Sequence, residues 1–217
     1  MIKIEKTKVY GWEAAVRGMR NPKNSWDKSD SRFDLMCDDD KPEWFVGEKD
    51  IELMNSLSKA GTDHSKYLRF ITVTVDITAP LYWWKEFDTY KVGTVANSCS
   101  TMHKIHEKEF TLDDFSHEHL TDWSHDGELC RDWLGDLEDL IDDLNFAREL
   151  YLETKNKQYW WQMIQLLPSS YNQKRTVLLN YQVLKNMYHA RKSHKLDEWL
   201  DFCRWCKSLP YFMEICS

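Results

Sequence analysis

The sequence predicts an α/β (α+β) fold in which a small central β-sheet is flanked by several long helices. Residues 69–77 are rich in β-branched side chains that partly alternate with polar ones, which is typical of a strand. Apolar residues at helical spacing recur through much of the remaining chain. The length of 217 residues fits one domain or at most two small ones, and we predict a single domain over residues 1–217.

The first third of the chain contains weaker signals. Isoleucines alternate with a lysine over residues 2–4, and residues 12–17 have a helix-like pattern. Residues 21–43 are rich in Asn, Asp, Ser, Lys and Pro, which predicts a long polar loop. A short amphipathic helix is predicted over residues 51–57, and Gly61 is a plausible C-terminal cap for it.

A proline separates the predicted strand from the next helix. Ala79 and Pro80 end the strand, and a helix is predicted over residues 81–87, with Pro80 near its first turn. Residues 88–101 contain Gly, Ser and Thr and are predicted to form an ordered loop. A strong helix is predicted over residues 127–154. The acidic residues expected on its solvent-facing side are Asp136, Glu138, Asp139, Asp142 and Asp143.

The segment after Leu167-Pro168 predicts a helix start and then a long amphipathic helix that ends near residue 191. Asn180 and Arg191 are eleven residues apart, about three turns, so they lie on nearly the same face. A planar cation beside an apolar stripe needs an anion, so this helix either binds a nucleotide or carries a structural salt bridge. A further helix is predicted over residues 196–208. The core positions between the two polar residues are Val183, Leu184, Met187 and Tyr188.

Composition argues against several classes of protein. The formal net charge is −7 and the isoelectric point is about 5.6, which disfavours a general nucleic-acid binder. No apolar run is long enough to span a bilayer, so no membrane partner is expected. Residues 1–6 lack the apolar region of a signal peptide, and six cysteines without a dense framework suit a reducing compartment. We therefore expect a cytoplasmic protein.

Two cysteine and histidine patterns offer alternative chemistry. The segment 103–125 contains spacings that suit zinc, although surface histidines are the favoured interpretation and no metal site is assigned. Cys203 and Cys206 have Cys-x-x-Cys spacing, but they fall inside a predicted helix, where a thiol lacks the lowered pKa that redox chemistry needs. The residues of the possible zinc site are His103, His106, His117, His119, His125 and Cys130.

Two blocks of the chain resemble one protein family. The first runs from residues 59–64, which end in His64, through the strand to Ala79-Pro80-Leu81-Tyr82, and the second from Leu167-Pro168 to about residue 205. In their spacing these blocks are similar to the flavin-dependent thymidylate synthases, in which a turn with a histidine precedes a strand that ends in Ala-Pro. The blocks cover under half of the chain, but total length also matches. The resemblance implies the fold of that family.

The chain departs from the family at its signature motif. That motif is Arg-His-Arg, two arbitrary residues, Ser, one arbitrary residue and Asn-Glu, followed by Ser and Arg at alternate positions. By the resemblance, its arginines serve flavin and nucleotide phosphates. Thr89 and Thr101 remove two of these charges, and Lys91 keeps one charge without the bidentate fork. None of the residues at the motif positions is identical: Thr89-Tyr90-Lys91, Thr94, Ala96-Asn97, Cys99 and Thr101.

The resemblance implies binding residues but no catalytic side chain. Gln182 stands where the family usually has an arginine, and Glu86 takes the place of a glutamine before the motif. The implied cofactor-binding residues are His64, Lys91, Asn97, Asn180 and Asn186. The implied substrate-binding residues are Glu86, Cys99, Lys174 and Arg191. Read without the family, capping or helix-surface hydrogen bonding is the favoured interpretation of Asn180 and Asn186, and an ion pair with a nearby carboxylate explains Arg191 as well as nucleotide binding does.

The resemblance implies a methyl or one-carbon transferase acting on a pyrimidine deoxynucleotide such as dUMP. It would use FAD, with NADPH and methylenetetrahydrofolate as cosubstrates, in a homotetramer that has flavin sites between subunits. Two alternatives remain open. One is a non-catalytic or altered-specificity homologue that keeps the fold as a nucleotide-binding or protein-interaction module. The other is an unrelated helical binding protein that lacks the strand and helix implied by residues 64–87.

Overall fold

The computed structural model describes residues 2–35, 42–122, 124–126 and 129–217. The chain divides into two compact units, each made of several chain segments. Unit 1 contains Met1–Lys3, Ile77–Asp88 and Asn97–Arg175. Unit 2 contains Ile4–Asp76, Thr89–Ala96 and Thr176–Ser217. None of the helices in the described ranges is long and apolar enough to cross a membrane.

Helices and strands are mixed along the chain, as the sequence predicts. The helices are α1 (Trp12–Arg20), α2 (Glu48–Lys59), α3 (Leu81–Phe87), α4 (Trp133–Thr154), α5 (Lys157–Leu166), α6 (Tyr181–Arg191), α7 (Asp197–Ser208) and α8 (Phe212–Cys216). The strands are β1 (Lys3–Tyr10), β2 (Arg32–Leu35), β3 (Pro42–Phe45), β4 (Thr72–Pro80), β5 (Val95–Ser98), β6 (Ser124–Asp126), β7 (Leu129–Arg131) and β8 (Asn172–Asn180). A four-stranded sheet has the order β1-β4-β8-β5, and two antiparallel hairpins pair β2 with β3 and β6 with β7.

The strand and helix around Pro80 confirm the clearest local prediction. Val73, Val75 and Ile77 on β4 are buried and alternate with half-buried polar residues, as expected for a strand with one face in the core. The strand begins three residues later than predicted, because residues 66–69 form a short 3-10 turn. Pro80 directly precedes α3 with a φ of −67°, a value its ring already favours.

The segment before α6 is a strand, so the prediction of one continuous helix from Leu167-Pro168 to residue 191 is wrong. Residues 172–180 form β8, and the helix begins only at Tyr181. Val177 and Leu179 are buried at alternate positions, which is the strand period. Asn180 then caps α6 by accepting a hydrogen bond from the Val183 backbone N–H at 3.0 Å. The predicted core residues Val183, Leu184, Met187 and Tyr188 are all buried, which confirms that part of the prediction.

Three other boundaries differ from the prediction. The long acidic helix begins at Trp133, because Asp132 accepts a hydrogen bond from the Gly135 N–H at 2.7 Å and caps it. Its predicted start at Gly127 lies outside the described residues. The predicted loops 21–43 and 88–101 contain β2 and β5 respectively. The acidic side chains on α4 are exposed, and Gly61 follows α2 with a φ of +110°, so both of those predictions are confirmed.

Unit 1 has a core of its own under α4 and α5. Apolar side chains from both helices pack against residues of the 105–115 segment. Half-buried aromatic and aliphatic side chains, among them Tyr171 just before β8, extend this cluster. The buried residues of this core are Ile105, Phe110, Phe115, Leu137, Ile141, Leu144, Ala147 and Met163.

Candidate functional site

The first turn of α6 places one predicted binding residue against the segment 89–96 of unit 2. Asn180 is half-buried, and its Oδ1 is engaged in the helix cap. Gly93 has a φ of +82°, and a Cβ built on it would lie 2.7 Å from Asn180 Nδ2 and 3.1 Å from Val183. Only glycine tolerates both the backbone angle and the close approach. The capping interpretation of Asn180 is therefore correct, whatever else its amide binds.

The last turn of α6 holds Arg191 between two aromatic rings. The guanidinium carbon lies 4.7 Å from the centre of the Trp199 ring and 5.6 Å from that of Tyr90. Arg191 Nε donates a hydrogen bond to the Tyr90 hydroxyl at 3.0 Å. A cation over an aromatic face gains about 0.5–1 kcal/mol at exposed sites and more where it is desolvated. These contacts fix the plane of the guanidinium group.

Asn186 and His64 are linked through two buried polar residues of unit 2. Gln182 donates from Nε2 to Asn186 Oδ1 at 3.2 Å, and the Ser65 hydroxyl lies 3.0 Å from Gln182 Oε1. Ser65 follows His64 in the turn that Gly61 begins, since the backbone N–H groups of both residues approach the Gly61 carbonyl. The side chains of His64 and Asn186 are exposed. The structure therefore connects the histidine turn to the middle of α6.

Residues on and before β5 are held much more loosely. Lys91 is exposed, and all four side chains of β5, including that of Asn97, are exposed as well. The Thr94 hydroxyl donates to the Tyr90 carbonyl at 2.6 Å and closes the turn before the strand. Val95 is 64% exposed on this strand. The predicted cofactor residues of this segment are thus displayed to solvent.

In unit 1 the structure brings Cys99 and Lys174 together through their backbones. The Cys99 N–H donates to the Lys174 carbonyl at 2.9 Å, and Gln173 Nε2 donates to the Cys99 carbonyl at 2.8 Å. The exposed Cys99 side chain lines a cavity of about 270 Å³. Glu86 is half-buried on α3 of the same unit. Charged and polar lining residues of this cavity include Ser100, Lys104, Lys108, Glu109, Asp114 and Tyr171.

Comparisons with known proteins identify the fold but not a sequence family. No protein family model matches the chain, and no curated protein matches it by sequence. Two crystal structures of the thymidylate synthase ThyX from Helicobacter pylori, with FAD and dUMP, match it with a TM-score of 0.67 each. They are 16% and 18% identical, and cover 100% and 99% of this chain and 98% and 99% of theirs. The chain has the fold of the flavin-dependent thymidylate synthases.

A third solved structure also matches the fold of the chain. It is the crystal structure of the UMP/dUMP methylase PolB from Streptomyces cacaoi bound with 5-Br dUMP. Its TM-score is 0.60 at 15% identity, with 99% of this chain and 94% of the other covered. The hypothesis of an unrelated helical protein is wrong, since β4 and α3 form the strand and helix that it excludes. At these identities the likeness shows the fold alone.

Within this thymidylate synthase fold, sequence reasoning missed residues that hold the predicted ones. Tyr90 is the partner of Arg191, but it stands 101 positions away, and nothing local marks it. Trp199 lies in the helix predicted over residues 196–208, but nothing in that pattern indicates that its ring contacts the Arg191 guanidinium. Arg175, next to Lys174, forms an ion pair with Asp88 at 2.7 Å. A charge beside a predicted substrate residue was the one available signal for Arg175.

The two alternative chemistries gain no support from the described residues. Cys203 and Cys206 are buried inside α7, and burial raises the pKa of both thiols, as the helix-interior prediction requires. Among the side chains that the structure describes, no group of three His, Cys, Asp or Glu is placed to hold a metal ion. The side chains of His125 and Cys130 lie outside that description.

A larger groove in unit 2 contains none of the predicted site residues. Its volume is about 1110 Å³, and it runs along the end of β1 and the start of α1. Tyr10 and Phe33 are exposed within it, whereas Trp12 is buried beneath Tyr211. Size alone therefore does not select the candidate site of this fold.

Proposed function

We propose that the chain is a flavin-dependent thymidylate synthase-like protein that binds a pyrimidine deoxynucleotide, such as dUMP, together with FAD. In its full form the proposal is one-carbon transfer to the pyrimidine, with methylenetetrahydrofolate and NADPH as cosubstrates. The observation that carries it is Arg191, oriented by Tyr90 and Trp199 at the end of α6, in a fold whose solved neighbours contain FAD and dUMP.

Arg191 suits the phosphate of a nucleotide. A guanidinium group pairs with phosphate through two parallel N–H donors, which a lysine cannot do. Because Tyr90 and Trp199 already fix its plane, little conformational entropy is lost when a ligand binds. The other residues that the resemblance implies for the substrate are Lys174, Cys99 and Glu86 of unit 1.

The donor set fits a flavin by chemical type, with fewer cations than the family motif has. Asn186 and Asn97 expose amides that can serve ring carbonyls, and Lys91 exposes an ammonium group that can serve a phosphate. Asn180 and His64 complete the proposed cofactor residues. When bound, FAD would supply hydride chemistry, and the chain's own residues would bind and orient the two ligands and exclude water.

A homotetramer is part of the proposal. Val92, three residues before β5, is 89% exposed, and Val95, the first residue of β5, is 64% exposed. In the proposed assembly another subunit covers these two exposed apolar side chains. Light scattering would give a mass about four times that of the chain under this proposal, whereas a strict monomer would argue against shared flavin sites.

A non-catalytic nucleotide-binding homologue is the second candidate. Thr89 and Thr101 take the place of arginines in the motif, and each lost charge-paired contact costs on the order of 2–5 kcal/mol. Such a loss would weaken the binding of FAD far more than the binding of a nucleotide whose phosphate contacts Arg191. The second candidate therefore predicts dUMP binding without FAD binding.

Two measurements separate the candidates. An absorbance spectrum of the purified protein, repeated after incubation with FAD, reports a bound flavin through its shifted bands. Incubation with dUMP, FAD, NADPH and methylenetetrahydrofolate, followed by mass spectrometry, reports dTMP. The proposal predicts a shifted flavin spectrum and dTMP formation. A colourless protein that ignores excess FAD but is thermally stabilised by dUMP would support the second candidate instead.

A further inference from the structure

A buried chain of hydrogen bonds in unit 2 has a definite direction. Ser65 is 2% exposed and Gln182 is 8% exposed, so solvent does not satisfy their polar groups. The Ser65 hydroxyl has one hydrogen, and Gln182 Oε1 at 3.0 Å is a closer acceptor than the Thr62 carbonyl at 3.4 Å. Gln182 then donates from Nε2 to Asn186 Oδ1 at 3.2 Å. The donors therefore point from Ser65 through Gln182 to Asn186.

This direction decides what Asn186 presents at the surface. Its Oδ1 is occupied by Gln182, and no residue in the described part of the chain accepts a hydrogen bond from its Nδ2. The side chain is exposed, so the amide offers N–H donors outward rather than its carbonyl oxygen. The neighbouring Lys185 is engaged elsewhere, because its ammonium group donates to the Ser58 carbonyl at 3.1 Å and to the Ser58 hydroxyl at 2.6 Å.

We infer that Gln182 is a positioning residue that fixes Asn186 as a hydrogen-bond donor, and that the ligand group received there is a ring carbonyl. The inference rests on the proposed function, since it assumes that a flavin or a pyrimidine nucleotide binds along α6. Both ligands contain ring carbonyls, so separate titrations with FAD and with dUMP distinguish the source.

Only a carboxamide at position 182 can perform this role. It accepts from Ser65 with its oxygen and donates to Asn186 with its nitrogen, so the direction is transmitted. A carboxylate would accept from both neighbours and would turn the Asn186 oxygen outward. An arginine or lysine would have no acceptor for the Ser65 hydroxyl, and its charge would be expensive to bury.

The test uses Gln182→Glu to reverse the direction of the hydrogen bond between residue 182 and Asn186. The affinities for FAD and for dUMP are then measured by fluorescence and calorimetric titration. The affinity for the ligand that Asn186 contacts should fall about tenfold, because an outward oxygen meets a carbonyl oxygen. In the Asn186→Ala background the same substitution should change nothing more, because its effect acts through Asn186. A loss that persists in that background would overturn the inference in favour of simple charge repulsion.

A second variant covers the case in which a buried glutamate unfolds the chain. Asn186→Asp is at an exposed position, keeps an acceptor for Gln182, and replaces the outward donor by an oxygen of a negatively charged carboxylate. It should lose at least as much affinity as Asn186→Ala, with an unchanged thermal melting temperature. If wild type binds FAD or dUMP and all three variants bind equally well, the inference fails while the proposed function stands. A wild-type chain that binds neither ligand overturns the proposed function, and this inference with it.

Discussion

Helix α6 and the segment 95–101 both carry predicted binding residues, but they hold them in different ways. Along α6, Asn180 caps the helix, Asn186 accepts from Gln182, and Arg191 is fixed by an aromatic pair. Along 95–98 every side chain is exposed. The polar side chains of the helix are held in place by hydrogen bonds within the protein, whereas those of the strand are exposed to solvent. Preorganised contacts cost less entropy on binding, so α6 should dominate affinity.

The largest contrast should be in thiol reactivity. Cys99 is exposed next to β5, whereas Cys203 and Cys206 are buried and have raised pKa values because of burial. At pH 8 a raised pKa leaves less thiolate, so iodoacetamide should modify the buried pair about a hundredfold more slowly than Cys99. Peptide mass spectrometry over time measures both rates. Equal rates would show that α7 opens as readily as the strand. Saturating dUMP should slow the reaction of Cys99 alone.

The next largest effect should come from Arg191→Ala. Removing the fixed guanidinium should weaken dUMP binding by about 2–5 kcal/mol, or thirtyfold and more, because a phosphate loses its bidentate partner. Isothermal titration calorimetry measures the change. Lys192→Ala, at the next and exposed position, is the matched control and should bind like wild type. If both variants lost the same dUMP affinity, the orientation of Arg191 by its aromatic neighbours would not matter for binding.

Arginines restored in the segment 89–101 should produce a gain of function. Thr89→Arg combined with Thr101→Arg restores two charges at the motif positions and should strengthen FAD binding about tenfold. Gln158→Arg with Gln165→Arg adds the same charge on the exposed side of α5 and serves as the control. FAD fluorescence quenching gives both affinities. If only the control gains, the segment 89–101 does not face the flavin phosphates.

The smallest effect should come from Tyr90→Phe. This change keeps the ring beside Arg191 and removes only the hydroxyl that accepts from Nε. Losing one such hydrogen bond should cost about 0.5–1.5 kcal/mol, so dUMP binding should weaken by roughly twofold to thirteenfold. Tyr10→Phe, on an exposed tyrosine of the same unit, is the control. An effect as large as that of Arg191→Ala would mean that the hydroxyl itself contacts the nucleotide.

Local sequence patterns correctly predicted the elements β4 and α3 and the buried residues of α6. The β-branched alternation and Pro80 located β4 and α3, and helical spacing located the core of α6. Residues 177–179 form a short apolar run, which periodicity alone cannot assign to a strand or a helix, so β8 was mistaken for helix. Strand β5 has no buried side chain and therefore no alternation to detect.

The candidate site was predictable only where its residues are close in sequence. Asn180 and Arg191 were found because they lie at the two ends of one helix, Asn180 as the N-cap of α6 and Arg191 as its last residue. Tyr90 contacts Arg191 from 101 positions away, and Ser65 contacts Gln182 from 117 positions away. Such pairs are created by folding, so no local pattern announces them. The family resemblance supplied Asn186 and singled out Gln182, but only the structure shows the hydrogen bond between the two side chains.

The proposed role of Arg191 in binding a nucleotide phosphate is tested most directly by calorimetric titration of the full chain with dUMP and with deoxyuridine, its phosphate-free counterpart. If α6 forms a nucleotide-binding surface with the phosphate at Arg191, dUMP should bind with measurable heat. Deoxyuridine should then bind at least about thirtyfold more weakly, because the charge-paired contact is missing. Equal affinity for the two ligands, or no binding of dUMP at millimolar concentration, would contradict the account.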